Sequence, residues 1–384
     1  MRELNLRAVL DHLRRGGPAT RPGIARDTGL SKPTVGQALL ALEEHALVRT
    51  VGRTYAGTGR SAVVYEADPT AGHVLGVDIG RELVRVAVAD LAGTVVARLD
   101  ERNRSRSATA LVRMVADSAW QAVGLAGLRR DDIVATVIGS PGVLDRGSRS
   151  FGHVPNLPGW ERKGLLDDLA AELGEDIVVE NDANLAAIGE YRSGVARGVD
   201  TFVCLTVGTG IGMGIVVEGK LFRGAHGAAG EVGYLPFGWP ADGAPDVQPR
   251  QGMLEAAAAA RSIVRIAAGH GLTDAHTARD VFRRAHDGDE RALLAVREEA
   301  ARLAFVVASV AAVVDPELVV LAGGVGAPNT ELLREPMARL LARTTPLAPR
   351  IAAAELGDDA VLTGAVATAL RTAQDVVFAR VSGY

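Results

Sequence analysis

Phe202-Val203-Cys204-Leu205-Thr206-Val207-Gly208-Thr209-Gly210-Ile211-Gly212-Met213-Gly214 decides how the larger part of this chain is read. Six residues with strand character run into a turn with glycine at every second position. Glycine removes the side-chain barrier, so backbone N–H groups there can approach an anion closely. On its own such a turn is a moderate signal, and it gains weight from its companions, which follow in order along the chain. Gly139-Ser140-Pro141-Gly142-Val143 follows an earlier strand, Asn156-Leu157-Pro158-Gly159-Trp160 forms a rigid loop, and Glu180-Asn181-Asp182-Ala183-Asn184 ends another strand. Gly227-Ala228-Ala229-Gly230-Glu231-Val232-Gly233 and Val319-Val320-Leu321-Ala322-Gly323-Gly324-Val325 come later.

Working towards the N-terminus, residues 73–78 form an apolar strand ending in Asp78-Ile79-Gly80. Strands at 83–89 and 94–99, a helix at about 107–125 and a strand at 133–138 follow. This order resembles the ribonuclease-H-like fold of actin and the sugar kinases, in which two α/β lobes face each other across a cleft. The combination of Glu180-Asn181-Asp182-Ala183-Asn184 with Gly230-Glu231 and the two glycine runs resembles the ROK family of repressors, open reading frames and kinases, over nearly the whole chain. Members with an N-terminal winged helix resemble the xylose and N-acetylglucosamine repressors, whose body is a kinase-derived sugar sensor.

The resemblance implies a sugar site at Asn156, Asn181, Asp182, Glu231, Tyr234 and Glu255. In the family kinases the position of Asp182 is the general base; a helix N-cap is the plainer role for it here. The family's first phosphate loop, Asp-x-Gly-Gly-Thr-Lys, reads Asp78-Ile79-Gly80-Arg81-Glu82-Leu83 in this chain, and that departure implies lost catalysis. Gly208, Thr209, Gly210 and Gly212 then survive as a vestigial second phosphate loop. The family's zinc ligands, one His and three Cys, correspond to Tyr234, Asp246, Gln248 and Met253, so neither metal nor any other cofactor is expected.

Residues 1–60 form a basic head, with 10 Lys and Arg against 5 Asp and Glu, while the remainder carries 32 against 41. A helix at 5–15 places Leu6, Val9, Leu10 and Leu13 on one face. Thr20 caps a short second helix with Pro22 in its first turn, Gly29 turns the chain, and Ser31 caps a third helix running to about Ala46. That spacing is helix-turn-helix, with Ser31, Lys32, Thr34 and Gln37 presented to DNA bases. Strands at 47–51 and 62–66, joined through Gly57, Gly59 and Arg60, complete a winged helix whose Arg60 reaches a minor groove. A protein-binding three-helix bundle is the alternative for the head.

The whole chain has 384 residues, 48% hydrophobic and 23% charged, which suits two or three folded domains and excludes disordered or collagen-like classes. No apolar run reaches the roughly 18 to 20 residues of a membrane span, and a cytoplasmic protein is expected. Its one cysteine, Cys204, excludes an intramolecular disulfide. The expected architecture is a winged helix-turn-helix at 1–70, a first α/β lobe at 71–183 with 364–384, and a second, larger lobe at 184–363. The leading functional expectation is a sugar-responsive regulator, a repressor of carbohydrate-utilisation genes, binding operator DNA and a sugar effector as a homodimer or tetramer. An active ATP-dependent sugar kinase with a DNA-binding arm is the main alternative, and a ligand-independent architectural DNA binder the third.

Overall fold

Leu6, Val9, Leu10 and Leu13, spaced three and four apart, form the buried stripe of helix α1 (Arg2–Gly16). The computed structural model describes residues 1–55, 61–145, 150–152, 154, 157–237 and 252–382. After the short strand β1 (Ala19–Thr20), the Thr20 side chain accepts from the Gly23 N–H at the start of α2 (Arg21–Thr28), and Gly29 closes that helix with φ 71°. Ser31 Oγ caps α3 (Lys32–Glu44) in the same way, accepting from Thr34 N–H at 3.2 Å. The helix stops at Glu44, two residues earlier than expected, where the His45 ring meets the Ala41 carbonyl and Ala46 turns left-handed. Strands β2 (Val48–Tyr55) and β3 (Ser61–Ala67) pair antiparallel, and β1 adds to the other edge of β3. Residues 56–60, Arg60 among them, lie outside the described residues.

Strands β4 (His73–Ile79), β5 (Leu83–Asp90) and β6 (Val95–Arg102) form an antiparallel meander. Helix α4 (Ala108–Leu125) crosses over so that β7 (Ile133–Ser140) pairs parallel to β4. A small hairpin, β8 (Val143–Asp145) with β9 (Ser150–Gly152), leads to α5 (Leu165–Leu173), and β10 (Ile177–Asn181) adds parallel to β7 before α6 (Asp182–Ser193). The strand order is β10-β7-β4-β5-β6.

The same plan recurs. Strands β11 (Phe202–Val207), β12 (Ile211–Val217) and β13 (Lys220–Leu221) form a second meander. Helices α7 (Met253–Ala258), α8 (Ala260–Gly269), α9 (Ala278–His286) and α10 (Glu290–Val314) precede β14 (Leu318–Ala322), which pairs parallel to β11. After α11 (Gly323–Gly326) and α12 (Thr330–Thr344), β15 (Arg350–Ala353) extends the sheet to the order β13-β12-β11-β14-β15. The last helix is α13 (Ala360–Ser382), into which the turn at Gly357–Asp359 feeds directly.

Helix α6 lies between the two sheets: Leu185 packs with Val74 and Val137 of the first, Ala186 and Ala187 with Phe202 and Val320 of the second. Its close neighbour is α13. A Cβ on Gly364 would stand 1.9 Å from the Leu185 carbonyl oxygen, and one on Gly189 2.3 Å from that of Ala360, so only glycine permits this contact. The far end of α13 reaches the head, where its Val377 and Phe378 join the core of Leu6, Leu10, Leu39 and Leu42. Among the described residues, no helix is long and apolar enough to cross a membrane.

Candidate functional site

The end of β10 and the start of α6 place the first site residues. Asn181 is the helix cap: its Oδ1 accepts from the Ala183 and Asn184 N–H groups at 2.9 and 3.2 Å. Its Nδ2 donates to the Gly142 carbonyl at 3.1 Å, fixing the strand end to the turn after β7. The helix cap, the alternative role for Asp182, is therefore Asn181. Asp182 is the first helical residue, with its Oδ1 accepting from the Ala183 N–H at 2.8 Å.

Asp182 faces a cavity of about 250 Å³ between the two sheets. Glu231 and Glu255 share its wall, with Asn181, Arg81 and the glycine loop Gly208–Gly212. Below it, Trp160 is fully buried and donates through Nε1 to Ser140 Oγ at 2.8 Å, which anchors the loop that carries Leu157 into the wall.

The acids shape one another. Burial pushes the Asp182 carboxyl up to about 6, against the Ala183 hydrogen bond and with help from Glu231. Burial also raises Glu231, with Glu255 adding to it, and raises Glu255 against a hydrogen bond from the Ile211 N–H. Asp78, at the end of β4, is pushed up to about 6 by burial although Arg85 Nη1 donates to it at 2.9 Å. A concave site walled by three carboxylates accepts hydrogen bonds from many directions, which suits a ligand rich in hydroxyl donors.

Not every expected residue joins this wall. Tyr234 sits on the turn Val232–Tyr234, is 40% exposed and lies outside the residues lining the cavity. Burial, Glu231 and Glu255 nevertheless raise its phenol. Asn156, Asp246 and Gln248 lie outside the described residues. At the remaining positions implied for zinc, Tyr234 offers a phenol and Met253 a thioether, which is not a zinc-binding set. Cys204 is buried in β11 and its thiol is pushed well up by burial, as fits a small core residue.

Two ion pairs escaped the sequence reading. Buried Glu180 accepts from Arg223 Nε at 2.7 Å and from Asn184 Nδ2 at 2.9 Å, tying β10 to the segment after β13. The Asp78–Arg85 pair braces the first hairpin beside its turn. The available signal was an acid at the end of an apolar strand, which needs a partner once buried.

In the head, the Ser31 and Thr34 hydroxyls stand 2.8 Å apart, and Lys32 and Gln37 are exposed at the same end of α3. Thr34 and Gln37 line a groove together with Arg2 and Asn5 of α1.

Residues 74–372 match the ROK family. The chain belongs to the ROK family. A glucokinase of Halalkalibacterium halodurans is 33% identical over 275 residues, covering 68% of this chain and 82% of that protein. A xylose repressor of Caldicellulosiruptor bescii is 25% identical over 384 residues, covering 96% and 95%. The crystal structure of a ROK family transcriptional regulator, a homologue of the E. coli MLC protein, superposes with a TM-score of 0.78 at 19% identity over 99% of this chain and 98% of that one. That identity speaks for the fold, here over nearly the full length.

Proposed function

We propose that this ROK protein is a sugar-responsive, DNA-binding transcriptional repressor whose kinase-like body senses the sugar. The observation that carries the reading is the shared core of Val377 and Phe378 with Leu6, Leu10, Leu39 and Leu42, which makes the basic head an extension of α13. Residues 1–70 act as a winged helix-turn-helix, with Ser31, Lys32, Thr34, Gln37 and Arg60 towards DNA. Residues 71–183 with 364–384 form one lobe and 184–363 the other. The sugar binds between them at Asp182, Glu231 and Glu255, with Asn181 holding the helix start and Tyr234 at the rim, and the family resemblance adds Asn156 as a further sugar contact.

Coupling follows from the packing. Asp182 opens α6, α6 lies tightly on α13, and α13 ends in the head. A sugar that binds better at one angle between the lobes shifts the population towards that angle. The head of each protomer in a dimer or tetramer then changes its spacing on operator DNA. Typical coupling of this kind is about 1 to 3 kcal/mol.

Two features support a non-catalytic body. Arg81, where the family kinases have glycine, is exposed and lines the cavity. The Glu255 carboxylate stands against the glycine loop, its Oε2 2.8 Å from where a Gly210 Cβ would be, so a phosphate there would meet a like charge. The second reading, an active sugar kinase, is favoured by the 33% identity to a glucokinase and by Asp182, whose carboxyl near 6 suits a general base. A coupled assay with ATP and a hexose panel decides between them: a turnover near ordinary enzyme rates, about 1 to 1,000 per second, would replace the repressor reading by the kinase one.

A further inference from the structure

We infer that Arg302, outside the cavity, is a positioning residue that sets where Glu255 and the glycine loop stand. The inference rests on the reading of the cavity as the effector site. Helix α7 has six residues, carries Glu255 at its third position, and breaks at Ala259 into extended backbone before α8. A sequence so rich in alanine would otherwise run on, and the break leaves the last carbonyls of α7 without helical partners.

Side chains supply those partners. Arg302 Nη1 and Ser262 Oγ both donate to the Ala257 carbonyl, and Arg265 Nη2 donates to that of Ala256 at 2.6 Å. Ser262 Oγ also lies 3.1 Å from Arg302 Nη1 and 3.0 Å from Arg265 Nη2. The other end of the Arg302 fork donates to Glu298 Oε1 at 2.5 Å, and Glu298 Oε2 meets His270 Nε2 at 3.0 Å. A guanidinium shared between a helix C-terminus and a carboxylate is a charge-assisted, directional anchor. Arg302 and Glu298 sit on the 25-residue α10, so the anchor is fixed to a long core helix.

The opposite side of this corner holds the site. The Ala260 N–H donates to the Gly208 carbonyl at 2.9 Å. The Glu255 carboxylate lies against the glycine loop, with its Oε2 2.8 Å from where a Gly210 Cβ would be. Moving the α7–α8 corner therefore moves Glu255 and the loop together. Arg302 acts through both and touches neither the cavity nor its ligand.

Hydrogen–deuterium exchange on the full chain tests this without any ligand, and glucose and xylose serve as ligand probes. Arg302→Met should raise exchange in the segment 206–214 about tenfold, the loss expected for a hydrogen bond to a charged group, while β14 at 318–322 stays protected. Arg302→Lys, which keeps the charge but not the fork, should fall between. Glu298→Gln provides the same comparison should the methionine variant fail to fold. For whichever of the two sugars binds the wild type, dissociation constants should rise by a similar factor. Unchanged exchange at 206–214, or an equal rise at 318–322, overturns the inference. If neither sugar binds the wild type, the effector reading fails for those sugars, and the exchange result still decides the role of Arg302.

Discussion

The Arg7 guanidinium of α1 lies 5.4 Å from the ring centroid of Phe378 in α13 and meets Asp375 Oδ1 at 2.5 Å. These contacts cross from the head to the last helix of the body. Both members of the ion pair are exposed, so it contributes at most about 1 kcal/mol. Phe378 is buried, and apolar burial carries the joint. Phe378→Ala should destabilise the head–body contact by about 3 to 5 kcal/mol, and Arg7→Ala by under about 1. Calorimetry should then show the head of Phe378→Ala melting ahead of the body, with operator binding no longer responding to sugar. A Phe378→Ala protein that melts as the wild type does would remove α13 as the link.

The exposed end of α3 predicts two kinds of DNA variant. Lys32→Ala should weaken binding about uniformly across sequences and reduce the salt slope by about 1. Gln37→Ala should instead relax preference at one base position, worth about 1 to 3 kcal/mol. Binding titrations at several salt concentrations on a randomised DNA library separate the two. Identical profiles for both variants would argue against base reading by Gln37.

Sugar affinity should follow the Asp182 carboxyl. Its ordinary value is 3.8 and in the fold it stands at about 6, so between those values the folded protein holds a proton that an exposed aspartate would release. Below about pH 6 the group loses acceptor capacity, and affinity for a hydroxyl-rich ligand should fall. Calorimetric titrations between pH 5 and 7.5 should show that fall in the wild type and a distinctly shallower one in Asp182→Asn, where of the three acids only Glu231 and Glu255 still titrate.

Glu299 gives a stability prediction of known sign. It is fully buried, neither carboxyl oxygen has a hydrogen-bond partner among the described residues, and burial pushes it from 4.5 to about 8. Between those values the folded state binds more protons than the unfolded state, so its contribution falls as pH rises, by up to about 1.4 kcal/mol per unit. Glu299→Gln should therefore raise the melting temperature at pH 8 and flatten its decline between pH 5 and 8. An unchanged decline would show that the group ionises no differently in the two states.

Much of this was legible in the residues. The head helices followed from the stripe Leu6, Val9, Leu10 and Leu13 and from caps at Thr20 and Ser31, all local signals. Strands β4 and β11 are short apolar runs that end at glycine-containing turns, and their boundaries shifted little. Nonlocal causes were hidden. Nothing in the alanines from 256 to 260 announces a break, because the partners that stabilise it come from Ser262, Arg265 and Arg302. Adjacent Asn181 and Asp182 are both good caps in sequence, and only the hydrogen bond from Asn181 to the Gly142 carbonyl marks out the one that caps. Tyr234 inherited a place in the site from a motif, while its turn leaves it outside the cavity wall.

The most direct test is an operator titration. DNA fragments retained by the full chain from its own genome are titrated with wild type and with Asp182→Ala, each with and without a panel of sugars. At least one sugar should shift wild-type affinity by about 5- to 150-fold, the range of ordinary allosteric coupling. Asp182→Ala should bind the same DNA with sugar-free affinity close to wild type and show no shift. If no sugar alters wild-type binding, or if Asp182→Ala responds at the same concentrations, the body does not sense sugar through this cavity.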